Sequence, residues 1–85
     1  MSDDFDYSAF KECCDALIST YKESYISKSN THIDYLLDNY VKDVYRRYLT
    51  KKELSPNIKT HRFIITNIQK YRVKLEKELE EIRKS

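Results

Sequence analysis

Cys13, Cys14, His32 and His61 are the residues whose side chains could bind a metal or attack an electrophile. Zinc needs ligands paired at C-x-x-C or H-x-x-x-H spacing, so that both reach one tetrahedral centre. Adjacent cysteines and two histidines 29 positions apart supply neither spacing, so no metal is expected. Neighbouring residues on a helix point in different directions, which rules out a relaxed disulfide between Cys13 and Cys14. They read as free thiols acting as small apolar residues in a reducing compartment. A nucleophile also needs a base and an oxyanion donor converging on one point. A Cys13–His61 pair is conceivable, but a core thiol and a histidine near a helix start account for both residues. No catalytic residue and no cofactor is expected.

Charge and aromatic residues carry more information. Residues 42–75 hold ten basic side chains against two acidic ones, whereas residues 1–41 hold eight acidic against three basic. The whole chain nevertheless sums to only +2. Lys59, Arg62, Lys70, Lys74 and Lys77 recur along one side of the last helical segment, with Thr66 and Val73 among them, and Phe63 reads as exposed beside them. Arg46 and Arg47 stand between Tyr45 and Tyr48. Arginine and tyrosine dominate interface energetics, and such clusters are frequent binding centres. Tyr45, Arg46, Arg47, Phe63, Lys70 and Lys74 therefore form the expected partner-binding surface. Tyr35 and Leu49, on the outer side of the second helical segment, form a secondary patch. A basic stripe can also follow a phosphate backbone, and Asn57, Arg62, Thr66 and Gln69 are residue types that read bases.

These surfaces have to be positioned by helices. The chain has 85 residues, no Gly and one Pro, and 35% of it is charged. Hairpins, P-loops and dinucleotide fingerprints lean on glycine for positive φ and close backbone approach. Apolar residues instead recur at steps of three and four. Phe10, Cys14, Leu17, Tyr21 and Tyr25 mark a helix over about 8–28, opened by Asp6 or Ser8 and closed by a polar run. Ile33, Leu37, Tyr40, Val44 and Tyr48 mark a second over 31–50, with Thr31 and Asp34 resembling a capping box. Ser55 as cap and Pro56 as first helical residue open a third over 56–83. There Ile65, Ile68, Leu75, Leu79 and Ile82 read as the seam, widened by Ile64 and Tyr71, with His61 and Arg72 at seam positions. Tyr21, Tyr40, Tyr48 and Tyr71 are expected to bury their rings and keep their hydroxyls wet.

The expected fold is all-α: one domain over residues 1–85, a three-helix up-down-up bundle with a long C-terminal helix. At 1.5 Å per residue the last helix is roughly 40 Å long, so one end should protrude or carry a second contact. Leu75 to Arg83 has the profile of a coiled-coil arm. Leu54-Ser55-Pro56-Asn57-Ile58-Lys59-Thr60-His61-Arg62 resembles the helix-opening stretch in the core-binding domain of tyrosine recombinases, a short match on which no family is assigned. Packed helices of this length leave no cleft for a small-molecule substrate. No apolar run reaches the ~20 residues that span a bilayer. The acidic opening Met1–Asp6 lacks a signal peptide's basic start and apolar stretch, so an intracellular protein, cytoplasmic or nuclear, is expected. The expected function is a protein–protein interaction module, an adaptor, inhibitor or assembly subunit whose partner is another protein or a second copy of itself. The alternative is a nucleic-acid-binding or transcription-regulating domain using the basic side of helices two and three.

Overall fold

The computed structural model describes residues 5–28 and 31–84. It contains α1 (Tyr7–Ser27), α2 (Ile33–Lys52) and α3 (Ile58–Lys84), and no strand occurs among the described residues. Each helix packs on both others in an up-down-up bundle with a long axis of 48 Å and a 19 × 19 Å cross-section.

The helix ends follow from local chemistry and correct several expectations. Asp6 caps α1, its carboxylate accepting from the Ala9 amide at 3.1 Å. That hydrogen bond, with the nearby Lys52 ammonium, holds the Asp6 carboxyl below the usual carboxylate range. The Thr31–Asp34 box does not form. The Thr31 amide is taken up by the Lys28 carbonyl at 3.1 Å, and the cap position falls on His32, whose side chain makes no capping bond. At the other end α2 runs past Thr50 to Lys52, and Glu53 closes it in the left-handed region at φ 52°. The Leu54 amide then reaches back to the Leu49 carbonyl at 3.0 Å, closing the end in a Schellman-like pattern. Glycine usually takes this position. In a chain without glycine, glutamate takes it at a cost of about 1 kcal/mol. α3 starts two residues later than expected. Its cap is Asn57, not Ser55, since Asn57 Oδ1 accepts from the Thr60 amide at 2.9 Å and its carbonyl from the His61 amide at 2.9 Å.

The core is built from Phe10, Cys14 and Leu17 of α1, Leu37, Tyr40, Val44 and Tyr48 of α2, and Ile64, Ile68, Tyr71, Leu75 and Leu79 of α3. In α3 this is a rotated seam. Ile64 is fully buried while Ile65 is only half-buried, so His61, Ile65 and Arg72 leave the seam for the edge that faces α2. All four tyrosine hydroxyls expected to be wet have partners within the protein, those of Tyr21 and Tyr71 being Asp43 and Tyr7, and the Tyr21 ring is only half-buried. Tyr40 donates to the Cys14 carbonyl at 2.9 Å, and the Tyr48 hydroxyl accepts from the Asp6 amide at 3.0 Å. Nor does the C-terminal part of α3 form a free arm. Leu75 and Leu79 are fully buried, and Glu78 pairs with Lys22 of α1 at 2.6 Å.

Candidate functional site

A three-helix bundle has three outer seams, and here they differ in what closes them. The α1–α2 seam is tied by polar contacts. Tyr21 donates to the Asp43 carboxylate, Lys51 pairs with Glu12 at 3.1 Å and Lys52 with Asp6 at 3.6 Å. The α1–α3 seam is covered by rings. Phe5 stacks on Phe63 with centroids 4.7 Å apart, Phe63 meets Phe10 at 5.5 Å, the Tyr7 and Tyr71 hydroxyls lie 3.0 Å apart, and Lys70 Nζ sits 4.9 Å over the Tyr7 ring.

The α2–α3 seam is left as an open groove of about 400 Å³. Val41, Tyr45 and Leu49 project from α2 at steps of four, and His61 and Ile65 face them from α3. Ile58, 68% exposed, stands two turns before Ile65 on the same edge and prolongs the apolar floor. Among the described residues two polar side-chain contacts cross the seam: Tyr45 Oη to His61 Nδ1 at 2.9 Å, and Arg72 to Asp38 at 3.9 Å. Lys42 and Arg46 form the α2 bank. No acidic residue lines the groove.

Charge pairing sharpens the contrast. Lys11, Lys51, Lys52 and Arg72 have carboxylate partners, whereas Lys42, Arg46, Lys59 and Arg62 form no ion pair among the described residues. Of these, Lys42 and Arg46 line the groove and are free to meet charge from outside, whereas Lys59 and Arg62 line the depression beside Phe5 and Phe63. A depression of similar size on the α1 flank of α3 is lined by Phe5, Lys59, Arg62, Phe63, Thr66 and Asn67, and two others are polar. The one between α1 and α2 contains Thr20, Ser24, Asn39 and Asp43, and the one at the far end of the bundle mixes His32, Asp34, Glu80 and Arg83.

The residues singled out from sequence fall on different faces. Tyr45, Arg46 and Leu49 come together in the groove. Arg47 turns toward α1, beside Asp43, Thr50 and Lys51. Phe63 is not an exposed ring: it is half-buried against Phe5, Phe10 and Tyr48 on the α1 side. Lys70 covers Tyr7 and Tyr71, and Lys74 is exposed one turn further along. Tyr35, 64% exposed, lines the α1–α2 depression, so it shares no patch with Leu49. Sequence reasoning missed Val41, His61 and Ile65 as surface residues because it spent them on core stripes. The signal was a second set of periodic positions, Val41–Tyr45–Leu49, beside the fully buried one.

Burial raises the Cys13 thiol and pushes Cys14 up to about 12, so both favour the neutral thiol over the nucleophilic thiolate. Among the described residues no group of three His, Cys, Asp or Glu side chains could hold a metal ion, and no helix is long and apolar enough to cross a membrane. Comparison with protein-family models, curated proteins and solved structures returns no match.

Proposed function

We propose that this chain is a small protein–protein interaction module, an adaptor, inhibitor or assembly subunit, that takes a partner segment into the α2–α3 groove. One observation carries the reading: this seam combines an apolar floor open to solvent with two neighbouring cations, Lys42 and Arg46, that form no ion pair among the described residues. Half-buried Val41, Tyr45, Leu49 and Ile65 keep apolar surface in water that a partner would remove, at ~25 cal/mol per Å². Tyr45 and Arg46 are the residue types that supply most binding energy at such centres. The test is affinity capture from cells with the paired variant Lys42→Glu, Arg46→Glu, set against a control pair on another face, Arg47→Glu, Lys74→Glu. Exposed charges shift stability by less than ~0.5 kcal/mol, so both pairs should melt like the parent. The reading expects the groove pair to lose partners that the control pair keeps. If the groove pair retains every partner, the groove is not the site.

A second reading rests on a different observation. Between Leu54 and Leu75 there is no acidic residue, and Lys59, Arg62, Lys70 and Lys77 follow one outer side of α3. That side suits a nucleic-acid backbone. A duplex titration at two salt concentrations tests it, since neutralising about four phosphates gives a log–log salt slope near −3.6. A flat salt dependence removes this reading.

A further inference from the structure

Resting on the docking reading above, we infer that the groove's occupant is an amphipathic helix with an acidic flank toward α2, contributed by a different protein, which lies between α2 and α3 as the fourth helix of the bundle.

The backbone decides between helix and strand. Both banks are helices, whose amides and carbonyls are spent within themselves. An extended segment laid on them finds no sheet edge, and no strand exists among the described residues to offer one. Its own N–H and C=O groups would lose water without gaining partners. A helix brings its backbone bonds with it and needs only side-chain contacts from the groove.

The floor fixes length and period. From Ile58 to Arg72 the α3 edge rises about 21 Å, the length of roughly fourteen helical residues. Beyond that point the Arg72–Asp38 pair bridges the seam. Val41, Tyr45 and Leu49 repeat every four residues and Ile58 and Ile65 every seven. An apolar stripe at i, i+4, i+7 and i+11 meets both rows.

Charge fixes the flank. Lys42 and Arg46 on the α2 bank form no ion pair among the described residues, and the lining contributes no acid of its own. Glutamate or aspartate on the side of the stripe that faces α2 would meet them, whereas lysine there would be repelled.

The same criteria argue against a second copy of this chain. Its most acidic helical stretch, Leu75 to Glu81, has its apolar residues Leu75 and Leu79 fully buried in the bundle's own core. The exposed large apolar residues Tyr7, Ile26, Tyr35, Ile58 and Val73 are scattered over separate elements and make no stripe with an acidic flank.

The experiment is selection of a displayed sixteen-residue peptide library against the immobilised full chain. Apolar positions are fixed at helical spacing in one half of the library and at alternating spacing in the other. Flank positions are randomised among Glu, Gln and Lys. The inference expects enrichment of the helical-spacing half with Glu on the flank that faces α2. Enriched peptides should gain helicity on binding, and binding should weaken about tenfold or more against Lys42→Glu, Arg46→Glu. Backbone amide shifts should centre on Val41, Tyr45 and Ile65. Enrichment of alternating sequences, equal use of Lys and Glu, undiminished binding to the charge-reversed pair, or no enrichment overturns it. If the charge-reversed pair loses cellular partners while no acidic helical peptide is selected, the groove reading survives and this inference alone falls. If the pair also keeps every cellular partner, both fall.

Discussion

The Tyr40 hydroxyl donates to the Cys14 carbonyl oxygen at 2.9 Å, joining α2 to α1 in the centre of a core where both residues are fully buried. A buried hydroxyl without a partner is costly, and this bond lets tyrosine fill the core without that penalty. Burial also raises the Tyr40 phenol above its ordinary range. Tyr40→Phe keeps the ring and deletes the bond. The Cys14 carbonyl retains its place in the helical ladder, so the loss should be about 1 kcal/mol, read as a melting temperature about 4–8 °C lower. No change in Tm would mean that the hydroxyl bond contributes nothing net.

The thiols give a prediction in pH. Cys14 is pushed up to about 12 and Cys13 is also raised, both chiefly by burial. A group whose folded pKa is raised stabilises the fold fully below its unfolded pKa and loses that contribution as pH rises toward the folded value. Stability should therefore fall between about pH 9 and pH 12, together with the loss from buried Tyr40. Below that window, at pH 8, alkylation should be slow for both thiols and slower for Cys14, then become fast in denaturant. Rapid labelling of Cys14 in the folded protein would contradict its placement.

The three helices are legible in the sequence because their apolar spacing survives any local ambiguity. Phe10–Cys14–Leu17 and Leu37–Tyr40–Val44–Tyr48 are core positions in both the pattern and the structure. The register of α3 is not legible. Ile64 and Ile65 are adjacent and chemically identical, so two seams about 100° apart fit the same letters. Packing decides between them: with Phe63 turned onto Phe5 and Phe10, Ile64 points inward and Ile65 toward α2. The candidate groove follows from that rotation. This is why Tyr45 and Arg46 could be named from sequence while Ile65 and His61 could not.

Leu17, Leu37 and Ile68 lie where the three stripes meet, at 4%, 0% and 0% exposure. Each change to alanine should cost on the order of 2–4 kcal/mol through lost transfer energy and the cavity left behind. Leu37 and Ile68 should sit at the upper end, because neither site opens to water. Denaturant unfolding measures this, and near-zero costs at all three sites would mean the faces are wrongly assigned.

Arg72 pairs with Asp38 at 3.9 Å, and the Asp38 side chain is 71% exposed. An ion pair this open contributes little, with a median of about 0–1 kcal/mol. Arg72→Leu should therefore change stability by less than ~1 kcal/mol. It also extends the apolar floor past its present end, so helical ligands of the groove should bind at least as well as to the parent. A loss of several kcal/mol would show that the guanidinium holds a structural contact beyond Asp38.

Phe63 separates folding from docking most sharply. Read from sequence, its ring is an exposed anchor that folding does not need. In the structure it stacks on Phe5 at 4.7 Å and packs on Phe10 and Tyr48 at 5.5 and 5.7 Å, closing the α1–α3 seam. Phe63→Ala should therefore destabilise by about 2–3 kcal/mol, somewhat below the 3–5 of a fully buried phenylalanine. Phe5→Ala should cost less, because Phe5 lies ahead of α1 and stacks on Phe63, whereas Phe63 also packs on Phe10 and Tyr48. Since the two rings face each other, the double variant should lose about 0.5–1.5 kcal/mol less than the two single losses combined. Binding through the α2–α3 groove, measured where each variant is still folded, should be unchanged, because Phe63 lines the opposite flank of α3. A negligible stability cost with lost binding is the opposite result. It would return Phe63 to the surface and move the docking site to the basic flank shared with Lys70 and Lys74.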